Sequence, residues 1–272
     1  MSIDAVFGRY IAKDSPVHRM DPRAKLMLSI LFMVMVFAAG SYASLGIAAL
    51  FTAGMFAFSH ISLRQAFVSI APLAILVVFT ALLNIFFVQG GEVYFQLGII
   101  CISQQGLQQA VFIAIRLTIL LLGVSLLTLA TTTLDLTDGF ERLLEPFRRF
   151  GLPAHELSMM MGIALRFLPQ FAIELRTIYR AQISRGANFS TSAKGSLALM
   201  TSLIVPLFTS AFRHAETLSL AMDARCYHGG ENRTRLRELS FSKRDLAGLA
   251  YLLAGTAAVL ATDFALKMLL PA

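Results

Sequence analysis

The sequence predicts an all-α integral membrane protein with about five transmembrane helices and three cytoplasmic helices. Three observations carry that reading. The 272 residues are 57% hydrophobic and 14% charged, where a soluble protein carries about 25% charged residues. The charge is also uneven: between Leu26 and Leu134 only Arg64, Glu92 and Arg116 are charged, whereas Thr133 to Asp245 holds 15 Lys/Arg and 11 Asp/Glu. Finally, the apolar stretches are continuous rather than alternating, which favours helices over a β-barrel. The same composition excludes disorder, collagen-like repeats and a secreted disulfide scaffold.

The spans follow from length, since a membrane helix needs roughly 17–25 mostly apolar residues. Leu26 to Ser59 holds two short spans broken near Gly40-Ser41-Tyr42. Gln65 to Val88 is a third, carrying Pro72, and Gly90-Gly91 with the polar stretch to Gln105 ends it. Leu107 to Thr131 is a fourth, with Arg116 inside it, and Leu246 to Leu266 a fifth. The chain therefore divides into a membrane bundle of four spans (1–132), a charged helical block (133–245) and a C-terminal span (246–272). Lys and Arg in the flanks orient it. Arg9, Lys13, Arg19, Arg23 and Lys25 precede the first span, Arg64 follows the second, and the 89–105 loop has neither Lys nor Arg. One arrangement puts every positive segment on one side: N-terminus and charged block inside the cell, 89–105 loop and C-terminus outside. Asp4, Lys13, Asp14 and Pro16 interrupt any early apolar core, so the N-terminus does not read as a signal peptide. Cys101 falls on the outer side and Cys226 in the charged block, so they are not expected to pair.

Arg116 sits deep in an apolar span, a costly position. A bundle-facing arginine paired with a backbone carbonyl, or with a polar group such as Asn84, is the expected solution.

Three helices are legible in the charged block. The first starts after Thr131-Thr132-Thr133 and ends before Gly151-Leu152-Pro153. The second runs from Ala154 to Arg185, where Leu157, Met160, Ala164, Phe167, Phe171, Leu175 and Ile178 step by three or four along one face. Arg166, Gln170, Glu174 and Arg180 fall on other faces. The third runs from about Ser196 to Cys226. Pro169 and Pro206 interrupt the second and third and are candidate kinks. The uncharged stretch 195–212 is long enough for a sixth span, but its Ser, Thr and Pro content suits a helix at the membrane boundary, with an apolar surface for a partner.

The second and third helices end alike. Ala181-Gln182-Ile183-Ser184-Arg185-Gly186 and Ala221-Met222-Asp223-Ala224-Arg225-Cys226 each read Ala-x-x-x-Arg, with an arginine closing each helix. The helix dipole favours a guanidinium at a C-terminus by about 0.3–1 kcal/mol, and its fixed donors match a carboxylate bidentately. Either arginine alone is an ordinary C-terminal capping residue. Two of them, each preceded by small residues, suit pegs that enter grooves on an acidic partner.

On these segments the chain resembles the transmembrane T component of energy-coupling factor transporters, the microbial importers of vitamins and trace metals. The family's two coupling helices end in arginine motifs often written Ala-Arg-Gly, matched here by Ser184-Arg185-Gly186 and Ala224-Arg225-Cys226. The run Ser15-Pro16-Val17-His18-Arg19-Met20-Asp21-Pro22-Arg23-Ala24-Lys25-Leu26 is similar to the family's opening segment, and Gly229-Gly230-Glu231-Asn232-Arg233-Thr234-Arg235-Leu236-Arg237 to the segment after the second motif. The resemblance implies a non-catalytic, cofactor-free coupling subunit of the plasma membrane. It would bind two ATPase subunits of the ABC type through Arg185 and Arg225. It would also bind one substrate-capturing S component, an interchangeable one to judge from the tail after Arg225. Cys226 departs from the family's glycine; if that position needs a positive φ, cysteine is costly there.

The competing classes lack their signatures. A self-contained secondary transporter would show repeated hydropathy halves and ionisable residues in the spans. An intramembrane enzyme needs a nucleophile or metal set, and His18, His60, His155, His214 and His228 have no metal-ligand spacing. No phosphate-binding Gly-x-x-x-x-Gly-Lys-Ser/Thr loop is present. The basic excess lies in membrane-flanking segments, where attraction to anionic lipid accounts for it without nucleic acid.

Overall fold

A computed structural model describes residues 10–11, 13–97, 100–144, 146, 154–186, 193–227, 229 and 241–269. They form two compact units, one from Gly8–Gly139 with Leu239–Ala272 and the other built on Phe140–Glu238. The first is the membrane unit, and its order is α1 (Pro22–Ala38), α2 (Tyr42–Ser59), α3 (Leu63–Ile70), a 3₁₀ turn (Ala71–Leu73), α4 (Ala74–Phe87), a hairpin β1 (Val93–Leu97) and β2 (Ile100–Ser103), α5 (Gln104–Ala130) and α9 (Lys243–Leu269). Helix α6 (Thr133–Leu144) runs across the boundary, and α7 (Ala154–Ser184) and α8 (Ala193–Asp223) make up the second unit.

Among the described residues the architecture is all-α apart from that antiparallel hairpin, which occupies the stretch read from sequence only as polar loop. Among the described residues, four helical segments are long and apolar enough to cross a membrane: Tyr42–Ser59, Leu63–Phe87, Gln104–Ala130 and Lys243–Met268. The expected first span is α1, whose 17 residues put it at the short end of the usable range. The third span is broken, as Pro72 suggests: proline has no N–H for the i−4 carbonyl, and a 3₁₀ turn separates α3 from α4.

The core of the membrane unit lies among α1, α2, α5 and α9, where Phe32, Met35, Val36, Leu45, Ala48, Leu252 and Val259 are almost fully buried. Helix α4 packs along α5 and leaves Ile75, Val78, Phe79 and Phe87 exposed, the lipid-facing pattern of a peripheral span.

Helix ends in an apolar medium leave backbone groups that water cannot reach, and each must find a partner. Charged side chains from distant helices supply several. Lys25, almost fully buried, donates to the Ala130 carbonyl at the end of α5 and to the His18 carbonyl, both at 3.0 Å. Asp245 at the start of α9 accepts from the Asp21 N–H at 2.9 Å and the Ser242 N–H at 2.7 Å. At the other end of the bundle, Asp263 of α9 accepts from the Gly40 N–H at 2.7 Å and the Ser41 hydroxyl at 2.6 Å. Ser41 is also the N-cap of α2, in a reciprocal capping box with Ser44. Arg116 donates to the Ala39 carbonyl, the C-cap of α1, and lies 4.6 Å from the Phe112 ring centroid. The carbonyl solution is therefore the one adopted; Asn84 instead donates to Thr80 within α4.

These contacts group the helix ends. The starts of α1 and α9 lie with the end of α5, whereas the end of α1 lies with the start of α2 and the end of α9. Ahead of α1, His18 Nε2 donates to the Ile11 carbonyl at 3.1 Å, so Nδ1 is left to accept from the Ser15 hydroxyl at 2.7 Å. Burial pushes the imidazole below its ordinary range, in keeping with this neutral tautomer.

Asp245→Ala removes a buried carboxylate that satisfies two backbone donors and faces Lys25. Its expected cost is about 2–4 kcal/mol, read as a lowered midpoint in thermal unfolding of the detergent-solubilised protein. Asp263→Asn, which keeps an acceptor oxygen for the Gly40 N–H and turns its NH2 toward the Ser41 hydroxyl, itself able to accept, should cost less than half as much.

Candidate functional site

Helices α7 and α8 are joined by a short connection and pack on one another. Their contact is aromatic and polar. Phe167 stacks on the His214 ring at 5.8 Å between centroids, and Phe171 lies at 6.0 Å from it. Gln170 Nε2 meets His214 Nε2 at 3.2 Å, the Ser210 hydroxyl donates to Glu174, and the second Glu174 oxygen is 3.7 Å from His214. Gln170 and Glu174, placed on other faces by the sequence pattern, are thus drawn into the contact together with Phe167 and Phe171. The helices run in opposed directions here, since Gln170 pairs with His214 while Glu174, one helical turn on, pairs with Ser210.

The rest of the predicted apolar face of α7 is left open: Leu157, Met160 and Leu175 are exposed. So is a stripe on α8, where Met200, Ile204, Phe208 and Phe212 recur once per turn, the spacing of one helical face. Pro169 and Pro206 lie inside the two helices, where neither brings an N–H to the helical ladder.

The predicted motif residues stand at the C-terminal tips. At the end of α8, the Tyr227 N–H bonds the Met222 carbonyl at 3.1 Å and the Cys226 N–H bonds the Asp223 carbonyl at 2.9 Å. These two bonds make a Schellman cap, in which the residue after the cap adopts a left-handed conformation. Cys226 does so, with φ of 54°. At the end of α7, the Gly186 N–H bonds the Ile183 carbonyl at 2.9 Å and Gly186 has φ of 84°. The two tips share the inner of these bonds and the left-handed residue that makes it. Arg185 and Arg225 occupy the same cap position, immediately before the left-handed residue.

Ser184, Arg185, Gly186, Ala224, Arg225 and Cys226 are all exposed. Among the described residues, neither Arg185 nor Arg225 has a side-chain hydrogen bond or ion pair. Arg185 lies about three helical turns beyond Glu174, and Arg225 about three beyond His214. Each tip therefore projects about 16 Å past the crossing, and because the helices are opposed the tips leave it on opposite sides. The chemistry on offer is two separated, solvated guanidinium groups on rigid caps. Cys226 is a free, exposed thiol.

Known proteins match the chain over most of its length. The CbiQ family, described as cobalt transport protein, matches residues 13–236. The energy-coupling factor transporter transmembrane protein EcfT of Thermosediminibacter oceani is 43% identical, covering 94% of this chain and 96% of its own. The protein of the same name from Brevibacillus brevis is 46% identical over 88% of this chain and 90% of its own. That of Bacillus subtilis is 39% identical over 91% and 94%.

The chain belongs to the energy-coupling factor transmembrane protein family.

For this family member the sequence located the two tips but missed the residues that order the membrane unit. Lys25 and Asp245 lie far apart in sequence from their partners Ala130 and Asp21, so no local pattern marks them. The one available signal was charge at the edge of an apolar run. Gln170, Glu174 and His214 were equally hidden, because helical periodicity alone assigns polar residues to the outside.

The left-handed cysteine gives a test of the cap. A β-carbon in this conformation costs about 1–2 kcal/mol, so Cys226→Gly should stabilise the tip by up to about 1 kcal/mol once glycine's greater chain entropy is deducted. Hydrogen exchange of the last turn of α8 should slow accordingly, while Cys226→Val, β-branched, should speed it.

Proposed function

We propose that this chain is the coupling subunit of an ATP-driven importer, with Arg185 and Arg225 each docking into one of two partner ATPases. One observation carries the reading: two exposed helix tips, each closed by a left-handed residue, each present an uncommitted arginine. Their separation suits two binding sites on two subunits better than one site shared by both. The catalytic step belongs to the partner ATPases, and this chain transmits their movement.

The exposed stripes of α7 and α8 support a further partner. Met200, Ile204, Phe208 and Phe212 offer an apolar helical face with no charged residue among them, suited to a small membrane protein. In this reading that partner is the S component, which selects a vitamin or trace metal, so this chain carries no substrate specificity. The membrane unit spans the plasma membrane five times, α1 included, with the N-terminus and the α7–α8 tips in the cytoplasm. The grouping of helix ends supports alternating spans, since the start of α9 lies with the start of α1 and the end of α9 with the hinge after α1. That pattern puts the C-terminus on the side opposite the N-terminus.

Charge reversal tests the docking. Arg185→Glu with Arg225→Glu should abolish co-purification with the ATPases while membrane insertion is unchanged; each single variant should weaken assembly at least tenfold. Unchanged co-purification would sink the coupling reading. For topology, a membrane-impermeant maleimide applied to intact cells carrying Cys101→Ser should leave the native Cys226 unlabelled, and adding Glu92→Cys should create labelling. Reaction of Cys226 in sealed cells would put the tips on the wrong side.

A further inference from the structure

The membrane unit contains a cavity of about 370 Å³ between the starts of α1 and α9 and the ends of α2 and α5. Its volume falls in the roughly 300–1,000 Å³ range of small-molecule sites. The walls are almost wholly apolar: Phe32, Met55, Leu126 and Leu252 line the interior, where Phe32 packs onto Gly123 and Met20 onto Gly248, and the small Ala130 and Ala247 complete the lining. Two cations line it as well, Lys25 and Arg244.

The two cations differ. Lys25 is buried and already donates to two carbonyls, so it belongs to the wall. Arg244 is exposed, and among the described residues its guanidinium has no hydrogen bond or ion pair. Its charge is felt by Asp14, whose carboxylate is itself paired with Arg19. Phe58 and Ala247, both exposed, stand with Arg244 at the rim. From Arg244 to Leu252 is about 12 Å along α9. The cavity therefore runs from a cationic rim into an apolar interior over most of one leaflet's hydrocarbon depth of about 15 Å.

We propose that this cavity holds one acyl chain of an anionic phospholipid, with Arg244 binding the headgroup phosphate. Charge selects the occupant. An apolar slot alone accepts any lipid chain, but an unpaired arginine at its mouth offers paired N–H donors that match phosphate oxygens. A zwitterionic lipid brings a compensating cation, whereas an anionic lipid does not. The bound lipid would fill the space between four helix ends and hold them in register.

The full-length protein in a non-ionic detergent, titrated with phosphatidylglycerol or phosphatidylcholine and followed by native mass spectrometry, tests this directly. The unaltered chain should retain one phosphatidylglycerol, at least tenfold more tightly than phosphatidylcholine. Arg244→Glu should remove that preference, and Ala247→Trp should reduce retention of both lipids. Arg64→Glu alters an exposed arginine just past the end of α2 that does not line the cavity, and should change nothing. Arg244→Glu is an exposed substitution that should leave thermal unfolding in lipid-free detergent unaltered, so a loss of binding is separable from misfolding. Equal retention of the two lipids by the unaltered chain, or equal losses from Arg64→Glu and Arg244→Glu, would overturn the proposal. So would displacement of the lipid by millimolar inorganic phosphate, which would assign the site to free anions.

Discussion

A helix end that is packed against its neighbours leaves N–H or C=O groups that water reaches poorly, and the membrane unit is tied together where side chains meet that cost. Lys25 reaches the last carbonyl of α5, Arg116 the C-cap carbonyl of α1, Asp263 the Gly40 N–H and the Ser41 hydroxyl at the hinge before α2, and Asp245 the N–H just ahead of α1. Each contact uses a charged side chain from one helix to close the end of another. The few charges that the apolar segments carry are therefore placed where backbone groups would otherwise be stranded. They also act as long-range ties, since Asp245 and Asp263 each join α9 to the opening segments of the chain. The apolar core then packs between ends already in register.

That placement explains what could be read in advance. Apolar runs and Lys/Arg flanks are local properties, so four of the five expected spans, the break near Gly40-Ser41-Tyr42 and the helices of the charged block were legible. The arginine tips were legible too, because Ala-x-x-x-Arg followed by Gly or Cys is a short string that occurs at the close of both helices. Arg116 was legible in kind but not in partner: its burial demanded an acceptor, and only the fold could choose Ala39 over Asn84. The hairpin of Val93–Leu97 and Ile100–Ser103 was hidden because its strands carry no strict alternation. Asp245 read simply as the last charge before a span. Its role depends on a partner 224 residues away, and no window along the sequence spans that distance.

The α7–α8 unit answers a different constraint. Its crossing is made by Phe167, Phe171, Gln170, Glu174, Ser210 and His214, a mixed aromatic and polar contact rather than an oily one. Large apolar side chains that would fill a core in a self-sufficient domain are left exposed along both helices. A pair of helices this open buries too little to account for its own length, and exposed apolar stripes of this extent mark surfaces that partners cover. Most of the stabilising burial for these helices is therefore to be sought in an assembly.

The tips show what such an assembly would need from this chain. Cys226 carries the cost of a left-handed conformation that Gly186 adopts freely, yet its N–H makes the same inner bond. The shared feature of the two tips is thus the turn itself and the place it gives the arginine. Hydrogen bonds on both sides of Arg185 and Arg225 hold the backbone, so a partner that docked there would have only side-chain freedom left to remove. Ordering an arginine side chain costs about 0.5–1.5 kcal/mol at an interface, whereas ordering a frayed helix end would add about 1–2 kcal/mol for every backbone residue fixed. A capped tip keeps most of the binding free energy for the contact itself. The left-handed cysteine costs about 1–2 kcal/mol, no more than fixing one frayed backbone residue, and the cap bonds at the second tip form with cysteine in that place.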